Sequence, residues 1–493
     1  MTSAFVRRTG MLAAGQAAVK STQLVLAVVL VRILSPTEWN ETSFLLSIYL
    51  AATVIGSLHL HHGLLYVVPR VDVELRRSLV LRNIALLLVV GVAIAVLLTA
   101  AAPLVSGGRL GDAAHLPWLG LAIALELPAA SVAMTLVADQ RFGSAALWDV
   151  AGTALVIVST VVGATMWSGA GGVLGGLIAS GTARLVGGLW CVWSVLPRGG
   201  RAPTAVLARQ LLYSIPLGLT ATVSILNRLV DKWFIAVFDA GNFGVYAIAA
   251  QEVPLLAVLP YAGGTALVTA LIGAFQHGEI GVARAHWLHL TMTMSAIVVP
   301  LGTAIILIAP ELLTVVFTSE FSTGVVPFQL FTFVTLHRVA EYGMLLRAAG
   351  RTRDLLVVAS ITLGSNVLLA GFGAWLGGMT GASIGTVIAS GIGWWVALRF
   401  IAAALEVPVR DAFAWRAWLS CVAIATLAAV VAQVTADLWT DGVAARLIIK
   451  LAIFVAVFTS GLRWWRTQPG SAPPTAVTAP ELPDRRARPG VPT

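Results

Sequence analysis

Charge is what this sequence has least of. Only 11% of its 493 residues are Asp, Glu, Lys or Arg, against about a quarter in an ordinary soluble domain. Lysine occurs at just three positions, Lys20, Lys232 and Lys450. The two cysteines, Cys191 and Cys421, both fall in apolar runs, which argues against a structural disulfide or a cysteine metal site. No phosphate-binding P-loop occurs, so no ATPase of that kind is encoded. No nucleophile, base and orienter stand together as an enzyme needs, and neither a cofactor nor a metal is expected. A cleavable signal peptide is not expected either. The apolar run behind Arg7 and Arg8 extends to about Ile33, too long for such a segment, and reads as a span that stays.

What fills the chain instead is apolar: 58% of residues are hydrophobic and mean hydropathy is +0.91. The class is therefore all-α and polytopic in a membrane. The length allows about fourteen helices of roughly 20 residues each. Apolar runs between loop signals place them at 11–33, 42–68, 83–105, 117–138, 146–167, 171–196, 211–238, 243–273, 287–309, 325–348, 355–376, 380–403, 416–437 and 445–465. With the N-terminus inside, 22 of the 31 basic residues fall on the inner side and only Arg32, Arg109 and Arg446 on the outer. That bias follows the positive-inside rule and calls for both ends in the cytoplasm. The net charge of +9 thus reads as topology, and no nucleic-acid partner is expected. Residues 467–493 turn to Pro, Ala, Thr and Arg and read as a disordered cytoplasmic tail.

An internal repeat is legible. "GGLIASGTARLVGG" at 175–188 resembles "GTVIASGIGWWVA" at 385–397, offset by 210 residues. The same offset lays Gln140-Arg141 over Gly350-Arg351, and "SPTEWNETSF" matches "DAGNFGVYAI" at an offset of about 204. Six spans per copy give both copies one orientation, a parallel repeat with its site between the halves. The expected organisation is two pseudo-symmetric six-helix lobes, 1–200 and 201–405, two added helices over 406–466, and the tail.

The most informative residues are ionisable ones inside apolar runs, because each costs roughly 2.5–3.5 kcal/mol at mid-membrane unless it meets a partner or a watery cavity. Gln16, Lys20 and Gln23 share one face of span 1, and Arg228, Asp231 and Lys232 one face of span 7. Asp231 can offset one of its two cationic neighbours and not both. These six are the candidate substrate-cavity residues; for Lys20 the competing reading is snorkelling to the headgroups. Glu126 before Pro128 and Glu252 before Pro254 pair an acid with a helix distortion and are candidates for ion coupling or the cavity, with packing or capping the alternative. Arg338, Glu341 and Tyr342 share a face of span 10 and read as cavity residues or as a self-contained ion pair. His59, His61 and His62 have no carboxylate or thiol beside them, so they read as cavity lining or interface and not as a metal site. Arg184 has no assigned role.

The segment around Arg32, Ser35, Pro36 and Trp39 resembles the opening of bacterial polysaccharide (O-antigen-type) flippases, with Asn40 in place of the usual glycine. Val230-Asp231-Lys232, Gly244-Val245-Tyr246 and the Ala-Pro-Glu-Leu run at 309–312 resemble that family's second half. The resemblance covers roughly residues 10–405. It implies membership of the multidrug/oligosaccharidyl-lipid/polysaccharide exporter superfamily, a V-shaped pair of six-helix lobes, and a non-enzymatic flippase of the bacterial cytoplasmic membrane. The implied cargo is a polyprenyl-pyrophosphate-linked glycan, with membrane lipid and polysaccharide polymerase or assembly proteins as partners. A lipid II-type flippase and a drug or cation antiporter of the same superfamily are the alternatives. A membrane glycosyltransferase or polymerase is the reading from another class, and the longest expected outer loop, about residues 310–324, is too small for such an enzyme.

Overall fold

A computed structural model describes residues 24–105, 112–167, 169–439 and 442–467, and among these every regular element is helical. Span 1 is represented by α1 (Leu24–Ile33). The chain continues as α2 (Pro36–Ser57), α3 (Leu60–Val67), α4 (Val73–Val105), α5 (His115–Ala138), α6 (Phe142–Met166), α7 (Ala170–Val195) and α8 (Thr204–Phe238). It goes on through α9 (Phe243–Ala249), α10 (Pro254–Gln276), α11 (Ile280–Leu307), α12 (Ala309–Val316), α13 (Val325–Thr335), α14 (Tyr342–Ala348), α15 (Thr352–Ala404), α16 (Trp415–Trp439) and α17 (Val443–Arg466).

Eleven of these segments are long and apolar enough to cross a membrane. One of them, α15, is two arms: Gly377 and Gly378 leave helical geometry, Gly378 at φ +53°, and the chain folds back so that Gly393 meets Thr362 and Gly381 meets Gly373. The arms match expected spans 11 and 12. Expected spans 2, 8 and 10 are not continuous helices. The second breaks at Leu58 and His59, both in the left-handed region at φ +40° and +54°. The eighth breaks between α9 and Pro254, which starts α10. The tenth breaks between α13 and α14. These breaks set where the site lies.

Local chemistry explains the segment that begins α2. Ser35 is its N-cap, Pro36 its first residue, and Glu38 closes a capping box with Ser35. Arg32 reaches the other way, donating to the carbonyls of Val315 at 2.8 Å and Val316 at 3.0 Å, where the negative end of α12 welcomes a cation. The flippase-like residues here are thus structural joints.

Small residues hold the helices together, since lipid supplies no hydrophobic force between them. A Cβ on Gly163 would lie 2.2 Å from the Gly172 carbonyl, and one on Gly373 would lie 2.1 Å from that of Gly381. Gly176 abuts the Ser159 carbonyl as Gly385 abuts that of Leu369. Residues 163 and 373, and 159 and 369, stand 210 apart, so the α6–α7 crossing recurs between the arms of α15. On α16, Cys421, Ala425, Ala428, Ala432 and Ala436 are all buried and form the stripe against which α11 and α17 pack. α17 is also pinned by an ion pair, Lys450 Nζ to Glu311 Oε1 at 2.5 Å, with side chains 3% and 8% exposed.

Candidate functional site

A cavity of about 420 Å³ lies between the two halves of the chain, within the range of small-molecule sites. Its two sides differ. From α1, α2, α6 and α7 come mainly apolar groups, among them Leu30, Trp39, Leu46, Val156 and Leu177. From α8, the breaks beside α10 and α14, and α15 come the polar ones. Three cations, Arg228, Lys232 and Arg338, and two carboxylates, Asp231 and Glu252, line it.

The helix breaks place two of these charges. Glu252 stands in the break before Pro254, and Arg338 in the break before α14. The Glu252 carboxylate bridges two guanidiniums, 3.2 Å from Arg338 Nη1 and 3.9 Å from Arg228 Nη2. Both arginine side chains remain about half exposed, at 55% for Arg228 and 45% for Arg338. Asp231 is buried and accepts a hydrogen bond from the Tyr246 hydroxyl at 3.0 Å, while its Oδ1 has no partner among the described residues. Lys232 turns its ammonium onto the carbonyl of Arg228, one turn back, at 2.8 Å. Behind them, buried Asn366 donates to the Asn227 carbonyl at 3.0 Å and accepts from Thr386 at 3.0 Å. The result is a site with a spare positive charge, a polar face and an apolar face.

Contacts between the halves close the site toward both ends. Toward Ser35, the Trp39 indole donates to the Gly244 carbonyl at 3.0 Å. Beside it, Asn40 donates to the Ala240 carbonyl at 2.7 Å and accepts from the Gly244 amide at 2.5 Å. Toward Arg70, α3 lies on the first half of α8. Gln210 donates to the Leu60 carbonyl at 2.8 Å and to Asn83 at 2.7 Å. The rings of Tyr66 and Tyr213 stack at 4.4 Å, with the Arg70 guanidinium 4.0 Å over Tyr66.

Of the sequence-derived candidates, Arg228, Asp231, Lys232, Glu252 and Arg338 meet in the cavity. Gln16, Lys20 and Gln23 lie outside the described residues. Glu126 is not in the cavity lining; Arg184 donates to both its oxygens at 2.5 and 2.7 Å. The expected pairing of Arg338 with Glu341 does not form. It assumed one continuous helix, and the break separates the two: Glu341 pairs with Arg347, Arg338 with Glu252. Among the described residues no cluster of His, Cys, Asp or Glu could hold a metal; the three histidine rings lie with centroids 4.5–5.5 Å apart, His59 stacked on His62 and His61 tilted against both. Sequence reasoning named Tyr246 only within the flippase-like motif and did not single out Asn366 or Gln210; the roles of all three depend on which helices become neighbours.

A bundle of broken and hairpin membrane helices around a central charged cavity is the architecture of a membrane transporter. Residues 5–272 match the family described as polysaccharide biosynthesis protein, and the chain belongs to that family. Among solved structures, it is similar to the lipid II flippase MurJ in an inward closed conformation, with TM-score 0.70 and 14% identity over 92% of this chain and 98% of that one. It is also similar to an inward-facing multidrug resistance MATE family transporter of the MOP superfamily, with TM-score 0.60 and 16% identity over 78% and 95%. A third is a MOP superfamily transporter from Pyrococcus furiosus, with TM-score 0.53 and 16% identity over 81% and 96%. No curated protein sequence matches the chain. The fold is thus that of the multidrug/oligosaccharidyl-lipid/polysaccharide exporters.

Proposed function

We propose that this protein is a flippase that carries a polyprenyl-diphosphate-linked oligosaccharide across the bacterial cytoplasmic membrane by alternating access. The observation that carries the proposal is the composition of the cavity. A diphosphate needs cations in a place of low dielectric, and Arg228, Arg338 and Lys232 line one face of the site. Glu252 occupies two of them and would be displaced, or outcompeted, by the doubly charged headgroup. The apolar opposite face suits the first isoprene units or the sugar ring faces. An antiporter for cationic drugs calls for an acidic site, and this one carries more positive than negative groups.

The same reading takes residues 1–200 and 201–405 as two lobes that rock against each other, 406–466 as two appended helices and 467–493 as a tail. The recurrence of helix crossings at an offset of 210 residues supports it. The arginine bias makes the Arg70 end cytoplasmic, with both termini on that side. A polysaccharide polymerase on the outer side would take the cargo onward. The protein itself performs no bond chemistry in this scheme.

The test is reconstitution in vesicles with three fluorescent lipids that share one glycan: a polyprenyl diphosphate, a polyprenyl monophosphate and a neutral linkage. Movement between leaflets should be fastest for the diphosphate and slowest for the neutral lipid. Equal rates for all three, or export of an organic cation in their place, would sink the proposal.

A further inference from the structure

His59, His61 and His62 sit where α2 breaks into α3. Their rings lie 4.5, 4.7 and 5.5 Å apart, centroid to centroid. All three are half-buried. Nδ1 of His59 and Nδ1 of His61 are buried and have no hydrogen-bond partner among the described residues. The backbone beneath them is strained, since Leu58 and His59 both hold positive φ without being glycine. α8 props that break: a Cβ on Gly218 would lie 2.6 Å from the Leu58 carbonyl oxygen.

Among the described residues, the surroundings of the cluster carry no carboxylate free to hold a charged imidazole. α8 turns Gln210 and Ser214 toward α3, and the Gln210 Oε1 and Ser214 Oγ are themselves buried without partners. Immediately before Ser214 and Gln210 on α8 are Tyr213, stacked on Tyr66, and exposed Arg209. α4 brings the Asn83 amide, which binds Ser131 of α5. The acids on α5 are already engaged, Glu126 by Arg184 and Asp139 beyond its end by Arg76 and Arg141. The turn after α3 adds another cation, Arg70, over Tyr66.

We infer that His59, His61 and His62 form a proton-binding site whose occupation loosens the joint between α3 and α8. With neutral rings, stacking and the neutral α8 face hold the joint shut. A proton on one ring adds a cation beside the neutral Gln210 Oε1 and Ser214 Oγ, with no free carboxylate among the described residues to balance its charge. A second proton puts two like charges about 5 Å apart at a half-buried place, where the repulsion is weakly screened. The relief available is separation of α3 from α8, which hydrates the rings and relaxes the two left-handed residues. A proton gradient would thereby bias which end of the cavity opens. The inference rests on the flippase reading for its purpose, but its test needs no substrate, so either can fail without the other.

The measurement is a distance between α3 and α8 as pH falls. Leu65→Cys and Leu212→Cys are both at exposed positions and would carry spin labels, with Cys191→Ala and Cys421→Ala removing the native thiols. In full-length protein in nanodiscs, electron–electron double resonance at pH 8 should give one short distance. At pH 5.5 a longer population should appear. In the H59Q/H61Q/H62Q variant the short distance should persist at both values. A distribution indifferent to pH, or an identical response in the triple variant, overturns the inference. If that variant does not fold, H62Q alone decides: it should show a smaller long-distance population at pH 5.5 than its parent, and an equal one overturns the site. Added Zn²⁺ at pH 8 should leave the short distance unchanged; a zinc-driven shift would assign the cluster to a metal and overturn the proton reading.

Discussion

Asn40 and Gly244 lie 204 residues apart in sequence and bond to each other. The Gly244 amide donates to Asn40 Oδ1 at 2.5 Å, and the Asn40 amide donates to the Ala240 carbonyl at 2.7 Å. One side of this joint carries the Asn40 side chain and the other the bare Gly244 backbone, and the two are complementary. A Cβ at Gly244 would fall 2.7 Å from Trp39 Cδ1, so this position admits nothing larger.

The closure toward Ser35 depends on those bonds. Asn40→Ala removes two hydrogen bonds worth roughly 0.5–1.5 kcal/mol each, and Gly244→Val forces the Trp39 ring aside. Both variants should insert normally yet open that end more often. The readout is thiol labelling of Ser43→Cys, a cavity-lining position, by a membrane-impermeant reagent. Labelling no faster than in the parent would show that the joint does not control access.

The cationic face should set headgroup affinity. Arg228→Ala, Lys232→Ala and Arg338→Ala should each cost about 1.5–3 kcal/mol of binding, the range for a hydrogen bond to a charged group. That is roughly a 10- to 150-fold rise in Kd for a soluble diphosphate-glycan analogue. Arg228→Lys should retain more than Arg228→Gln. Lys20→Ala extends the test to the first span. Unchanged Kd across Arg228 and Arg338 together would rule out this face as the headgroup site.

Glu252 works in the opposite sense. Its carboxylate bridges Arg228 and Arg338 and offsets one of their two charges, so Glu252→Gln raises the positive charge of this face by one. We expect tighter binding of the diphosphate analogue together with slower net flipping, because release becomes the harder step. Isothermal titration paired with a leaflet-exchange assay separates the two effects; weaker binding would mean that the acid organises the site and does not merely guard it.

The pair between Lys450 and Glu311 is a stability element. Removing one partner leaves an uncompensated buried charge, at a cost of about 3–5 kcal/mol. Lys450→Met or Glu311→Leu alone should therefore lower Tm in detergent markedly, while the double replacement should recover most of the loss. A double variant as unstable as either single one would show that the charges, and not their balance, hold α17 to α12.

Orientation follows from the arginine distribution. Reporter fusions after Arg201 and after Arg466 should both report the cytoplasm. An outside signal at either position would break the span count and with it the assignment of the Arg70 end.

Composition alone decided that this chain lives in a membrane, because 58% hydrophobic residues and so few charges leave no soluble surface to build. It also decided which side chains matter. An ionisable group in an apolar run is costly wherever it lies, so Arg228, Asp231, Lys232, Glu252 and Arg338 stood out before any fold was known, and Pro254 announced the break beside Glu252. The partners of those groups were not legible. Helical periodicity assigns a residue to a face at about 100° per step, but it does not say which helix that face will meet. Glu126 before Pro128 looked like Glu252 before Pro254. Pro128 stays inside an unbroken α5, and Arg184 on α7 claims the acid. The break at Leu58–His59 has no proline or glycine of its own, and α8 approaches it closely at Gly218. Tertiary packing, which chooses neighbours among helices that are equally apolar in sequence, decided which charges are spent on structure and which face the cavity.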